Sequence, residues 1–362
     1  MPVRTEKPNL EQSVSVVEAE PSSRFLRACR GLPVDATPVW FMRQAGRYMP
    51  EYRAIREKHT LLEIVERPDL AAEVTLQPVR AFAVDAAILF ADILLPVVPM
   101  GLHLEFVKGE GPSLSDPIRS AEDVARLRTV DAESDLGHVL ETVRLVRQAL
   151  AGEVPLIGFA GAPFTVASYM IEGGPSRDYR HTKTLMHAEP ALWQVLMEKL
   201  SDSLANYLVA QIRAGAQAVQ LFDSWVGVLS PQDYARFVQP YSASVLSAVA
   251  ETGVPSIHFG TGTATLLELM REAGGDVIGL DWRVPIDAGW ARIGDQVGVQ
   301  GNLDPVTLFA PRRVLEEQTV DILRRVAGRP GHIFNLGHGI LQHTPVENVR
   351  ALANMVHDLS AG

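Results

Sequence analysis

At 362 residues, 47% of them hydrophobic, the chain is long enough to bury one barrel-sized core or two smaller ones. Its formal charge of −10 argues against nucleic-acid binding, which goes with basic patches, and means that a polyanionic ligand must find positive charge concentrated locally. Cys29 is the only cysteine, which excludes an intrachain disulfide and a multi-cysteine metal site and fits a reducing cytosol.

Residues 1–22 are polar, lack the apolar stretch of a signal peptide and read as a disordered tail, with order expected from Ser23 onward. No apolar run approaches the ~18 residues that span a bilayer, so no membrane span is expected. From Pro38 on, short β-rich runs alternate with long amphipathic segments. The expected strands are Val39–Met42, Ala86–Phe90, Val154–Phe159, Ala216–Phe222, Val254–Phe259, Asp276–Leu280, Gln296–Gln300 and His332–Asn335. Helices are expected over about 68–83, 134–151, 190–213, 231–250, 263–273, 311–327 and 345–358. Pro68 and Pro231 sit at first-turn positions, the latter after Ser230 as N-cap, while Gly215 and Gly253 follow helix ends. This alternation predicts an α/β fold, a (β/α)8 TIM barrel filling residues 23–362 as one domain. A doubly wound open sheet is the alternative. Residues 97–119 look like a hairpin inserted after strand 2.

In a barrel, chemistry gathers at the carboxyl ends of the strands. Strand 1 runs into Arg43-Gln44-Ala45-Gly46-Arg47, a turn that offers two guanidinium forks and backbone N–H groups to a carboxylate ligand. Pro50 is expected to stop any long helix there, and a surface ion-pair turn is the alternative for this spacing. Strand 2 ends on Asp92, bracketed by apolar residues where a carboxylate is costly without partners. Strand 3 leads through Gly158–Thr165, whose small residues allow close ligand approach, to Tyr169. Strand 4 ends on Asp223-Ser224-Trp225, where Ser224 either donates to a carboxylate or joins Asp223 in capping the next segment. Strands 5, 6 and 7 end on Gly260–Thr263, Asp281-Trp282 and Gly301-Asn302. After strand 8, His338 lies between two glycines and reads as a ligand-facing imidazole.

Arg43 to Arg53, Asp85–Leu94, Gly158–Thr165, Leu221–Trp225, Gly279–Trp282, Gln300–Pro305 and Phe334–Gly339 together resemble the uroporphyrinogen decarboxylase family. The resemblance runs from about residue 24 to 358 in the right order. It implies loss of CO2 from the four acetate side chains of uroporphyrinogen III, giving coproporphyrinogen III, without cofactor or metal. It places substrate contacts on the 43–47 turn, Asp92, Tyr169, Ser224 and His338, with Asp92, Arg43 and Arg47 as the catalytic set. It also implies a cytoplasmic homodimer. One departure follows strand 5, where many relatives carry Lys-Gly and this chain has Gly260-Thr261-Gly262-Thr263. The lysines fall at no expected strand end, which argues against Schiff-base chemistry. Two alternatives stand beside this reading. A cobalamin-linked methyltransferase of the same superfamily wants a His-x-Cys zinc site that is not encoded. A non-catalytic tetrapyrrole-binding protein has no need of Asp92.

Overall fold

The computed structural model describes residues 23–107 and 111–362, so the expected tail over 1–22, and Lys108, Gly109 and Glu110 of the expected hairpin, lie outside the described residues. Its strands are β1 (Ala87–Ile88), β2 (Leu104–Val107), β3 (Gly111–Leu114), β4 (Leu156–Gly161), β5 (Ala218–Asp223), β6 (Ser256–Gly260), β7 (Val277–Gly279), β8 (Gly298–Gln300) and β9 (His332–Ile333). β2 and β3 pair antiparallel with each other. The other seven form one all-parallel sheet in chain order.

That sheet is curled. β5 and β8 are not neighbours, yet the amide of Gln300 donates to the Gln220 carbonyl oxygen at 3.0 Å. Trp40 Nε1 donates to Gln300 at 3.0 Å, and Gln220 reaches Met42 Sδ at 3.5 Å. All four side chains are buried, so inward-facing residues meet across an enclosed interior. Each polar atom in this chain answers another, as burial requires.

The first expected strand does not form a ladder. Val39 makes one parallel bridge to Phe334, and on its other side its carbonyl accepts from Asp85 N–H at 2.8 Å. The segment thus lies between the two edges of the sheet. The reason is competition by side chains for its amides. Val39 N–H goes to Asp85 Oδ2, Phe41 N–H to Gln44 Oε1 and Met42 N–H to Asn335 Oδ1.

Outside the sheet, Leu196, Leu204 and Leu208 of the helix Pro190–Ala214 join Leu156, Ile157 and Val219 in one apolar cluster. Trp290, Leu315 and Leu352 join Val39, Ile278, Val299 and Phe334 in the other. The expected helix over 231–250 is two, Pro231–Phe237 and Gln239–Ala250. Pro240 lacks the N–H that continuity needs, whereas in the first turn of the second helix none is required. Ser230 caps the first of them, accepting from Asp233 N–H at 3.1 Å. No long helix forms at the 43–52 turn, and Pro50 stands at the first position of a short one, Pro50–Arg56. Among the described residues no helix is long and apolar enough to cross a membrane.

Candidate active site

The turn after Met42 depends on Arg43 adopting φ +59°, the left-handed region that a side chain seldom enters. Gln44 holds it there. Its side chain is fully buried, accepting from Phe41 N–H at 3.2 Å and donating to Ala86 carbonyl at 3.1 Å, while its own N–H goes to Phe41 carbonyl at 3.0 Å. Gln44 was expected to face the ligand; it has neither side chain nor amide to offer and acts as a brace. The N–H groups of Ala45, Gly46 and Arg47 bond to no carbonyl among the described residues. Tyr48 hydroxyl donates to Gln44 carbonyl at 2.6 Å and closes the turn from behind.

Opposite Arg43 stands Asp92, half-buried, with Oδ1 accepting from Leu94 N–H at 2.9 Å. Burial pushes its carboxyl above the ordinary range, and the Leu94 amide and the Arg43 guanidinium pull it part of the way back. Tyr169, on the second turn of the helix Pro163–Glu172, stacks on Trp225 with ring centroids 3.8 Å apart. Burial and the nearby Asp92 carboxylate raise its phenol, so it stays a neutral donor.

His338 comes to the same place from the far side of the sheet. Its Nδ1 accepts from Gly339 N–H at 2.6 Å, which leaves the proton on Nε2. Burial first, then the Arg43 and Arg283 charges, lower its pKa to about 4, against an opposing pull from Asp281. The imidazole is therefore a neutral Nε2–H donor near pH 7. An NMR titration is expected to find His338 uncharged, in that tautomer, until the pH falls to about 4; an imidazolium at pH 6 would contradict this geometry.

Arg43 thus acts electrostatically on Asp92, Tyr169 and His338 alike. Arg47 points elsewhere, into an outer cavity with Tyr48, Arg53 and Gln342–Thr344. The surface ion-pair alternative does not apply, since neither arginine is in an ion pair among the described residues.

Ser224 is half-buried and its carbonyl accepts from Thr261 Oγ1 at 2.5 Å. Asp223 does not cap a helix. It is fully buried, with Thr165 and Ser242 hydroxyls at 3.1 and 3.5 Å.

A model of the uroporphyrinogen decarboxylase (URO-D) family matches residues 20–359. The chain belongs to this family. A uroporphyrinogen decarboxylase of Roseiflexus sp. is 59% identical over 344 residues, 94% of this chain and 99% of that protein. One from Sorangium cellulosum is 59% identical over 336 residues, 93% and 96% of the two chains. Among solved structures, a methyltransferase from Methanosarcina mazei superposes with a TM-score of 0.75 at 22% identity, covering 92% of this chain and 97% of that one. That likeness speaks for the fold alone.

Asp281, at the end of expected strand 6, and Arg283, to which the sequence assigns no substrate contact, also border this decarboxylase-family site. Asp281 is 2% exposed and accepts from Gly262 N–H at 2.5 Å, Arg283 N–H at 2.9 Å and Arg283 Nη1 at 2.6 Å. The Gly260–Thr263 loop, where the sequence departs from many relatives, is thereby tied to the strand end beside His338, and through Thr261 to Ser224. An Asp at a strand end was legible; its partner 19 residues earlier was not.

Proposed function

We propose that this site removes the carboxyl groups of the four acetate side chains of uroporphyrinogen III, leaving methyls and coproporphyrinogen III. The electron pair released by CO2 needs a sink. An electron-rich pyrrole serves as its own: a proton added to a ring carbon makes a cation, and the C–CO2 bond breaks toward it. The exocyclic carbon then takes a proton and the ring carbon gives one up, a net exchange of CO2 for H+. Asp92, ionised, accepts from the pyrrole N–H groups and stabilises the ring cation electrostatically. Arg43 binds the acetate that reacts, within the field of Asp92. Tyr169, Ser224 and His338 Nε2–H donate to other carboxylates, as do the free amides of Ala45, Gly46 and Arg47.

What carries the reading is Asp92 itself: a half-buried carboxylate whose one hydrogen-bond donor among the described residues is the Leu94 amide, beside one cation. A structural carboxylate is expected to be better satisfied, as Asp223 and Asp281 are. The methyltransferase alternative wants soft ligands, and Cys29 is buried in the helix Arg24–Cys29 with its thiol pKa raised by burial. A single-turnover assay with uroporphyrinogen III without oxygen, after dialysis against a strong chelator, is expected to yield products with progressively fewer carboxylates. Tight binding without loss of CO2 would leave a tetrapyrrole-binding protein, and activity restored only by zinc would overturn the metal-free mechanism.

The same proposal takes the 38–42 segment as the eighth strand of a closed (β/α)8 barrel, residues 23–362 as one domain, and the β2–β3 pair as an insertion after the second strand. The bridge of Val39 to Phe334 on one side and its carbonyl's hydrogen bond from Asp85 N–H on the other support closure. A cytoplasmic homodimer is part of the reading on the family resemblance.

Arg47→Lys keeps the charge but not the bidentate fork. KM is expected to rise by the equivalent of about 1–3 kcal/mol with kcat little changed. Wild-type KM in this variant would make Arg47 a surface charge only.

A further inference from the structure

The parallel ladder between β4 and β5 ends where Ala162 N–H donates to Phe222 carbonyl at 2.8 Å. Beyond it the two chains part: β4 leads into the helix Pro163–Glu172, which carries Tyr169, and β5 into Ser224 and Trp225. One peptide group past the ladder is nevertheless held at both of its polar ends. The N–H between Ser224 and Trp225 donates to Thr165 Oγ1 at 3.3 Å, and the carbonyl of the same unit accepts from Thr261 Oγ1 at 2.5 Å. The two hydroxyls come from different elements, the first turn of the Tyr169 helix and the loop after β6. Each is itself fixed. Thr165 is fully buried and donates its one proton to Asp223 Oδ1 at 3.1 Å, so its oxygen can only accept from the amide. The Thr261 loop lies against bare backbone, since a Cβ built at Gly227 would stand 2.2 Å from Thr261 carbonyl oxygen. A peptide group is planar, so pinning its N–H and its C=O sets the direction of that plane. On either side of it hang the Ser224 hydroxyl and the Trp225 ring. The ring backs Tyr169, stacked on it at 3.8 Å, and Tyr169 stands four residues after Thr165 on the same helix face.

We propose that Thr165 and Thr261 are positioning residues that clamp the Ser224–Trp225 peptide between them, and so aim the Ser224 and Tyr169 hydroxyls at substrate carboxylates. The inference rests on the decarboxylase reading above. Thr165 has no exposed surface with which to meet a ligand, so it acts only through the peptide it holds. Ser224 is aimed directly by the plane, and Tyr169 at one remove, by the indole that the plane carries. Both hydroxyls bind carboxylates that are not reacting, and such contacts are as strong in the ground state as in the transition state. Releasing the clamp therefore weakens binding and leaves the chemical step alone.

Fluorine NMR of the full chain labelled with fluorotryptophan reads the clamp without substrate, the Trp225 resonance being the one lost in Trp225→Phe. Thr165→Val and Thr261→Val are each expected to move that resonance toward its position in Tyr169→Leu, where no aromatic ring stacks on the indole, and to leave that of Trp290 in place. Thr165→Ser and Thr261→Ser keep a hydroxyl and should restore it. KM for uroporphyrinogen III should rise about tenfold in each valine variant, the scale of one hydrogen bond to a charged group, with kcat little changed. Because both hydroxyls hold one peptide, the doubly substituted chain should lose much less than the product of the two single losses. Thr261 lies half-buried in a loop, so Thr261→Val decides the matter even if Thr165→Val fails to fold. An unmoved Trp225 resonance in Thr261→Val overturns the proposal. So do serine variants that fail to restore it, which would assign the threonines to packing, and losses that simply multiply in the double variant. Wild-type protein that removes no CO2 from uroporphyrinogen III overturns the decarboxylase reading alone, and the resonances still decide the clamp.

Discussion

Asp92→Asn is expected to lower kcat by about 10²-fold or more while KM for uroporphyrinogen III rises much less. The amide is nearly isosteric, and its carbonyl oxygen still accepts from a pyrrole N–H, so binding survives in weakened form. What goes is the negative charge facing the ring cation, and charge counts for most where water is scarce. Asp92→Glu should suffer as well, because one methylene moves the carboxylate off the ring centre. The pH profile gives a second readout. Burial raises the Asp92 carboxyl above its ordinary value, so its ionised form is lost at a higher pH than usual. In the free enzyme, kcat/KM should therefore fall on the acid side through a pKa above the common carboxylate range, and this limb should vanish in Asp92→Asn. Near-normal kcat with only KM raised would make Asp92 a binding residue and defeat the cation-stabilising mechanism.

Residue types at strand ends were legible because each strand is an apolar run that stops abruptly at glycine or a polar group. Phe259-Gly260, Leu280-Asp281 and Gln300-Gly301 all mark such ends. The helix Pro163–Glu172 was not legible as one. Eight of its ten residues are buried, so it shows no amphipathic period to set it apart from the strand before it. Pro50 keeps any helix from running through the turn, as expected, while the short helix Pro50–Arg56 that it opens was not legible. In the site, the cast was legible and the arrangement was not. Arg43 and Arg47, four residues apart, read as a pair aimed at one ligand. The left-handed φ at Arg43 and the buried Gln44 turn them into different surroundings, one beside Asp92 and one beside Thr344. No spacing rule reports that a side chain will take the amides of this segment, as Gln44 does by folding back and Asp85 does from the neighbouring edge of the sheet.

Gly339→Ala should cripple the enzyme by displacing Arg43, although Gly339 itself has no side chain to offer the substrate. A Cβ built at Gly339 lies 2.5 Å from Arg43 Cδ, 2.7 Å from Cγ and 3.1 Å from Cβ. The methyl thus meets the root of the side chain as well as its middle, and a rotation of the guanidinium tip cannot relieve it. Nor can the turn retreat easily, since Gln44 and Tyr48 tie it down and Ile340 N–H binds Met42 carbonyl on the other side. The strain of such overpacking is about 1–3 kcal/mol, which a core of this size tolerates, so the variant should fold. Its Arg43 will be displaced, and a misplacement of about 1 Å in a positioning group is worth roughly 10²-fold in rate. We expect kcat/KM to fall by about that factor. Two titrations then show the cause. Arg43 holds down both the Asp92 and His338 pKa values, so moving it away should shift the acid limb upward and raise the His338 titration together. Gly137→Ala, where no atom lies within 4 Å of the added methyl, should change neither rate nor titration. Wild-type kinetics and unmoved titrations in Gly339→Ala would mean that Arg43 has room to act from another position, and that the cation between Asp92 and His338 is not what the rate depends on.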